Sequence, residues 1–184
     1  MLLAYLAGAQ TWYPGSLVTA DREVLVGDMG PYPLLDVIIV KTTSGTQVLK
    51  AHQIESCFYF HSVENRNVRW VSLPSGPDQP QRLFEVVLSG RVDVLRRPKP
   101  GSLDAQPGVL DHDYFTEDND TITSMDEFRT RVFDGLIRRY PSEFQVFLQR
   151  EKLNPNYLGD AIRIVQHFNE VDRRETTVVA QARL

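Results

Sequence analysis

The densest group of side chains able to hold a metal is Asp111-His112-Asp113, with Glu117, Asp118 and Asp120 close behind. Oxygen donors of this kind suit a hard cation such as calcium when a sharply turning loop makes them converge. The alternating acids and glycine of an EF-hand loop are missing, and Asp and Asn build turns on their own account. The stretch therefore reads as a solvated acidic hairpin. Asp111, His112 and Asp113 are the metal candidates of this chain, and no cofactor is expected. His52, His61 and His167 are far apart in sequence and suggest no joint site.

Nucleophilic chemistry has few footholds. Cys57 is the only cysteine and lies within Ile54-Glu55-Ser56-Cys57-Phe58-Tyr59-Phe60, a strand-like run. A buried, inert thiol is the expectation there. A single cysteine also excludes an internal disulfide and any cysteine-built zinc or iron–sulfur centre. The Gly-x-Ser-x-Gly elbow, the phosphate-binding glycine loops and His-Glu-x-x-His are all absent from the sequence. No catalytic residue is assigned on this basis. A carboxylate pair of the glycosidase type leaves no local signature, so a hydrolase built from acids distant in sequence stands as the alternative function.

Charge narrows the partners. The sequence carries 20 basic and 24 acidic residues, a formal net charge of -4. Lys99 faces six acids between residues 99 and 124, and the remainder is close to neutral. No basic face is apparent, which argues against nucleic acid, because phosphate neutralisation needs clustered Lys and Arg. No apolar run is long enough for a transmembrane helix.

The elements that would position these residues fall into two parts. Up to about residue 123, short runs rich in Val, Ile, Phe and Tyr alternate with turn residues, the pattern of a bent antiparallel sheet or small barrel. Met29-Gly30-Pro31-Tyr32-Pro33 reads as a loop, since proline is excluded from central strands. Ser89-Gly90 reads as a tight hairpin turn. The Pro74–Pro80 and Pro98–Val109 stretches are loops where a cleft beside the acidic hairpin would form. From Ser124 the apolar period becomes helical. A Ser124/Glu127 capping box opens the first of three helices, Pro141 starts the second and Asn154-Pro155 the third. Residues 173–184 read as a polar tail. The expected fold is α+β, with residues 10–123 β-rich and a helical subdomain over 124–172. The expected core includes Val37, Ile39, Ile54, Phe58, Phe60, Val86, Val87, Phe128, Leu136, Ile162 and Val165. Trp12, Tyr13 and Tyr32 are expected to pack over the ends of the sheet.

Residues 1–9, Met1-Leu2-Leu3-Ala4-Tyr5-Leu6-Ala7-Gly8-Ala9, are apolar, uncharged and rich in small residues. Ala7-Gly8-Ala9 fits the small-residue rule of signal-peptide cleavage, so this segment reads as a signal-peptide remnant. The basic n-region of such a signal is missing.

The runs Gly15-Ser16-Leu17-Val18, Glu23-Val24-Leu25-Val26-Gly27, Ala51-His52-Gln53-Ile54-Glu55-Ser56-Cys57-Phe58-Tyr59-Phe60, Arg69-Trp70-Val71-Ser72-Leu73 and Phe84-Glu85-Val86-Val87-Leu88-Ser89-Gly90 resemble a group of uncharacterised exported bacterial proteins. The resemblance implies export to the periplasm or medium, supplies no catalytic residue and covers most of the chain. The function expected is an exported, soluble cell-envelope accessory or binding protein without catalytic activity, with a protein or glycan partner. A cytoplasmic protein-interaction domain is the third reading.

Overall fold

The computed structural model describes residues 11–76, 79–100 and 111–181. Residues 1–9, Ser102, Asp104 and most of the expected Pro98–Val109 loop lie outside them. The described residues form ten strands: β1 (Tyr13–Thr19), β2 (Val24–Tyr32), β3 (Val37–Thr42), β4 (Gly45–Lys50), β5 (Ile54–His61), β6 (Arg66–Pro74), β7 (Gln81–Leu88), β8 (Asp93–Pro98), β9 (His112–Asp118) and β10 (Thr121–Ser124). They form one antiparallel sheet in the order β10-β9-β8-β7-β6-β5-β1-β2-β3-β4. Four α-helices follow among the described residues: α1 (Phe128–Arg131), α2 (Phe133–Arg139), α3 (Pro141–Glu151) and α4 (Leu158–Gln181). The fold is α+β, with four helices where three were expected. By contacts the chain groups into two compact units, residues 1–86 with 97–111, and residues 87–96 with 112–184.

In the first unit the concave face of the sheet is filled by one cluster that includes Leu17, Met29, Ile38, Val40, Cys57, Tyr59 and Trp70. Gly15 and Gly27 are cross-strand partners on β1 and β2. A Cβ on Gly15 would stand 2.3 Å from the Phe58 carbonyl oxygen, and one on Gly27 only 2.0 Å from that of Lys41. No larger residue fits either position. Asp36 ties the start of β3 to distant strands. It sits in the left-handed region at φ 53°, tolerable for a short polar side chain. Its carbonyl accepts from the Ala51 N–H at 2.8 Å, and its Oδ1 accepts from the Leu83 N–H at 2.9 Å. The buried Arg97 guanidinium lies 3.5 Å from the same Oδ1.

Two strands bury the face opposite to the one expected. On β5, Cys57 and Tyr59 point inward, whereas Phe58 and Phe60 are 48% and 43% exposed. The cause is a β-bulge. Val18 pairs with Ser56 but Thr19 pairs with Ile54, so Glu55 is an extra residue. One extra residue inverts a period-two pattern, so buried Ile54 shares a face with Cys57 and not with Phe58. On β3, Ile38 and Val40 are fully buried, while Val37 and Ile39 are half-covered. Four consecutive β-branched residues carry no alternation to read, and the pairing of Val40 with Met29 decides. On β7, Leu83, Phe84 and Glu85 are buried, Val86 half-buried and Val87 exposed. Ile54, Phe128, Leu136 and Val165 are buried as expected, whereas Ile162 lies at the boundary.

Pro31 lies within β2, not in a loop. The β1 ladder ends at the Tyr13–Met29 pair, so β2 at Pro31 has only β3 as a neighbour. Proline is tolerated there as on an edge strand. Residues 89–92, rather than a two-residue turn, join β7 to β8. The Gly90 N–H donates to Asp93 Oδ1, and Asn169 takes both backbone groups of Val92, at 3.0 Å to the N–H and 2.8 Å to the carbonyl.

The second unit packs Val92 and Val94 with Phe128, Leu136, Phe144, Ile164, Val165 and Phe168. Ser124 caps a 3-10 turn by accepting from the Asp126 N–H, not the expected reciprocal box with Glu127. The first expected helix breaks at Val132 into α1 and α2, between Thr130 and Gly135, both poor helix formers. Asn154 Oδ1 accepts from the Asn156 N–H in a local turn, so α4 begins at Leu158 rather than at Pro155. The expected polar tail continues α4 to Gln181, since no glycine or proline interrupts Arg173 to Gln181.

Candidate functional site

His112 and Asp113 open β9, where successive side chains point to opposite faces. Asp111 is exposed and lies 3.5 Å from Lys99 Nζ, its backbone carbonyl accepting from the Lys99 N–H. The three do not converge. Asn119 and Asp120 both have positive φ, the geometry of a tight hairpin turn, and the Asp120 N–H donates to Glu117 Oε1 at 2.7 Å. Burial, followed by the charges of Asp93, Asp120 and Asp118, raises the Glu117 carboxyl above its usual range. Asp118 lies 3.4 Å from Arg91. Among the described residues, no three His, Cys, Asp or Glu side chains come together to hold a metal ion.

Cys57 is fully buried in the concave core, and burial pushes its thiol up to about 12. A group held so far above neutral pH supplies almost no thiolate, the form that attacks.

Strand pairing assembles a polar and aromatic cluster that sequence spacing did not reveal. Tyr13 stacks on Tyr59 and on His61, with ring centroids 4.7 and 4.5 Å apart. Tyr13 Oη is 2.8 Å from His61 Nε2, and the Glu64 N–H donates to His61 Nδ1. An imidazole whose Nδ1 accepts carries its proton on Nε2, so in its neutral form His61 donates to Tyr13. Trp70 Nε1 donates to Tyr59 Oη at 3.1 Å, and burial raises the Tyr59 phenol. Arg66 bridges Glu64 to the buried carboxylate of Glu85. The acid is thus held by a guanidinium and the imidazole by a phenol and a backbone amide. The arrangement braces the curled sheet rather than presenting an activated nucleophile.

The convex face is different. Val26, Ser16, Phe58 and Arg69 are successive cross-strand partners over β2, β1, β5 and β6. Val26 is 70% exposed and Val48, on the same face, 60%. Phe60 stands two residues beyond Phe58. Lys41, Lys50, Arg69 and Arg82 also lie on this side by register, as does Asp28, and exposed Glu55 stands at the bulge of β5. Lys41 Nζ sits 3.6 Å over the Trp12 ring, so Trp12 lies against the sheet where the strand begins. Tyr13, by contrast, belongs to the concave cluster.

Comparison with protein-family models, curated proteins and solved structures finds no match. No helix among the described residues is long and apolar enough to cross a membrane.

Proposed function

We propose that this chain is a non-catalytic binding module of a bacterial cell envelope, and that its convex sheet face receives a protein segment. The observation that carries the reading is the apolar surface formed by Phe58, Phe60, Val26 and Val48, all more than two-fifths exposed. Contiguous exposed apolar surface rimmed by polar groups marks interaction sites, and aromatic anchors dominate binding energy. Four basic residues on this face, Lys41, Lys50, Arg69 and Arg82, outnumber Asp28 and the bulge residue Glu55 and favour a partner with carboxylates around an apolar centre. Phenyl and aliphatic side chains, with few polar groups between them, suit a protein better than a glycan. Support for the envelope comes from the apolar, small-residue start with its Ala7-Gly8-Ala9 and from the resemblance to exported bacterial proteins.

A photoreactive phenylalanine analogue at position 58, in cells producing the protein, tests this reading. A discrete adduct with another protein, absent from the same label at Val146 on α3 and lost in Arg69→Glu with Lys50→Glu, is the expected result. No adduct, equal adducts from both positions, or an adduct only with a second copy would overturn it. Hydrolytic turnover of esters, peptides, glycosides or phosphates, abolished by one carboxylate-to-amide change, would overturn the non-catalytic part.

A further inference from the structure

Of the six asparagines in the sequence, only Asn119 has a serine or threonine two positions on, Thr121. The residue between them is Asp120, not proline. This is the acceptor pattern of N-linked glycosylation. The fold puts the whole pattern at the surface. Asn119 and Asp120 form the tip of the β9–β10 hairpin, with φ of 50° and 62°, and Asn119, Asp120 and Thr121 are all exposed. None of the three belongs to the core cluster of this unit, so a bulky group on Asn119 disturbs no packing.

The tip is also built to open. Two-residue turns with both φ positive favour glycine at the second position, where this chain has Asp120. Strand β10 has only four residues and ends the sheet order, pairing with β9. The Asp120 N–H donating to Glu117 Oε1 closes the turn. Opening it frees the Glu117 carboxylate and the Asn119 amide together. Bacterial transferases of this class read an acid two residues before the asparagine, a carboxylate for a cationic side chain of the enzyme, and Glu117 stands at that position.

We infer that Asn119 is the acceptor of an N-linked glycan, with Thr121 and Glu117 as the residues by which an oligosaccharyltransferase recognises it. Asn119 Nδ2 attacks the anomeric carbon of a glycan carried on a polyprenyl pyrophosphate. The carbon–nitrogen bond forms as the bond from that carbon to the pyrophosphate oxygen breaks. The transferase takes the amide proton, and the polyprenyl pyrophosphate leaves. This chain supplies no catalytic group. The inference rests on the envelope reading above, since such transfer takes place outside the cytoplasmic membrane.

The test separates the two. The full chain is exported through a leader of known function, in bacteria carrying an N-oligosaccharyltransferase and its lipid-linked glycan, with a flexible acceptor peptide appended at the C-terminus. Delivery then does not depend on residues 1–9, whose own export activity is read by fractionating cells that make the chain without the leader. The expected result, by mass spectrometry of intact protein and peptides, is one glycan on the appended peptide and a second on Asn119. The second should vanish in Asn119→Gln, Thr121→Val and Glu117→Gln and persist in Thr121→Ser. Modification of the appended peptide alone, an unchanged second glycan in Asn119→Gln, or full occupancy in both Thr121→Val and Glu117→Gln would overturn the inference.

Discussion

The bulge at Glu55 makes a quantitative prediction about two neighbouring aromatic residues. Tyr59 is 3% exposed, stacks on Tyr13 and accepts from Trp70. Tyr59→Ala removes a buried aromatic side chain, about 3–5 kcal/mol. It also leaves the buried Trp70 N–H without its acceptor, about 1–3 kcal/mol more. Phe58 keeps half its surface in water, and full burial of such a side chain is worth about 1.5–3 kcal/mol, so Phe58→Ala should cost about 1 kcal/mol. Domain stabilities run to about 5–15 kcal/mol, so the first change threatens folding of its unit and the second does not. Urea unfolding followed by tryptophan fluorescence reads both, since Trp70 lies beside Tyr59. Equal losses, or a larger loss at Phe58, would mean that no bulge inverts β5 and that the convex face is not the exposed one.

Four other outcomes follow from named contacts. Asp36→Ala leaves the Leu83 N–H unpaired and the Arg97 guanidinium buried without its carboxylate, a loss of about 3–5 kcal/mol measurable by denaturant unfolding. Asn169→Ala strips both backbone groups of Val92 of their partners, at about 1–3 kcal/mol for each group, and hydrogen exchange at Val92 should rise with it. Glu117 has a raised folded pKa, so its contribution is greatest below the unfolded value of 4.5 and is lost as pH rises through the folded one. Glu117→Gln should therefore melt higher than wild type at neutral pH, the gap closing on acidification. Burial lowers the His167 pKa below 6.5, so the unfolded chain binds its proton more tightly and stability falls as pH drops below that value. His167→Phe should flatten that part of the melting-temperature profile.

The sequence exposed whatever was local. Element type followed from apolar period, and Pro141 opens α3 because its fixed φ suits the first helical turn. Faces were legible only where alternation was clean. The run Val37-Ile38-Ile39-Val40 offers none, and the Glu55 bulge is visible only through pairing with β1, some 36 residues earlier. The Tyr13–His61 contact spans 48 positions, so no spacing rule finds it. An excess of Phe and Tyr in one strand was the available signal, but it could not say which ring faced water. His167 was set aside for its distance from the other histidines, and its stacking partner Phe147 lies on another helix. Turn chemistry misled where side chains had two uses. Asn154 made a local turn instead of a helix cap, and Ser124 capped a 3-10 turn.

Hydroxyl-radical footprinting, applied to purified protein and to intact producing cells, tests the binding surface most directly. In the purified chain Phe58 and Phe60 should be oxidised along with Tyr157, which is 66% exposed on a different part of the fold. In cells, protection confined to Phe58, Phe60 and Val26, with Tyr157 unchanged, is the predicted result. Equal oxidation of Phe58 and Tyr157 in both preparations would contradict a partner on the convex face.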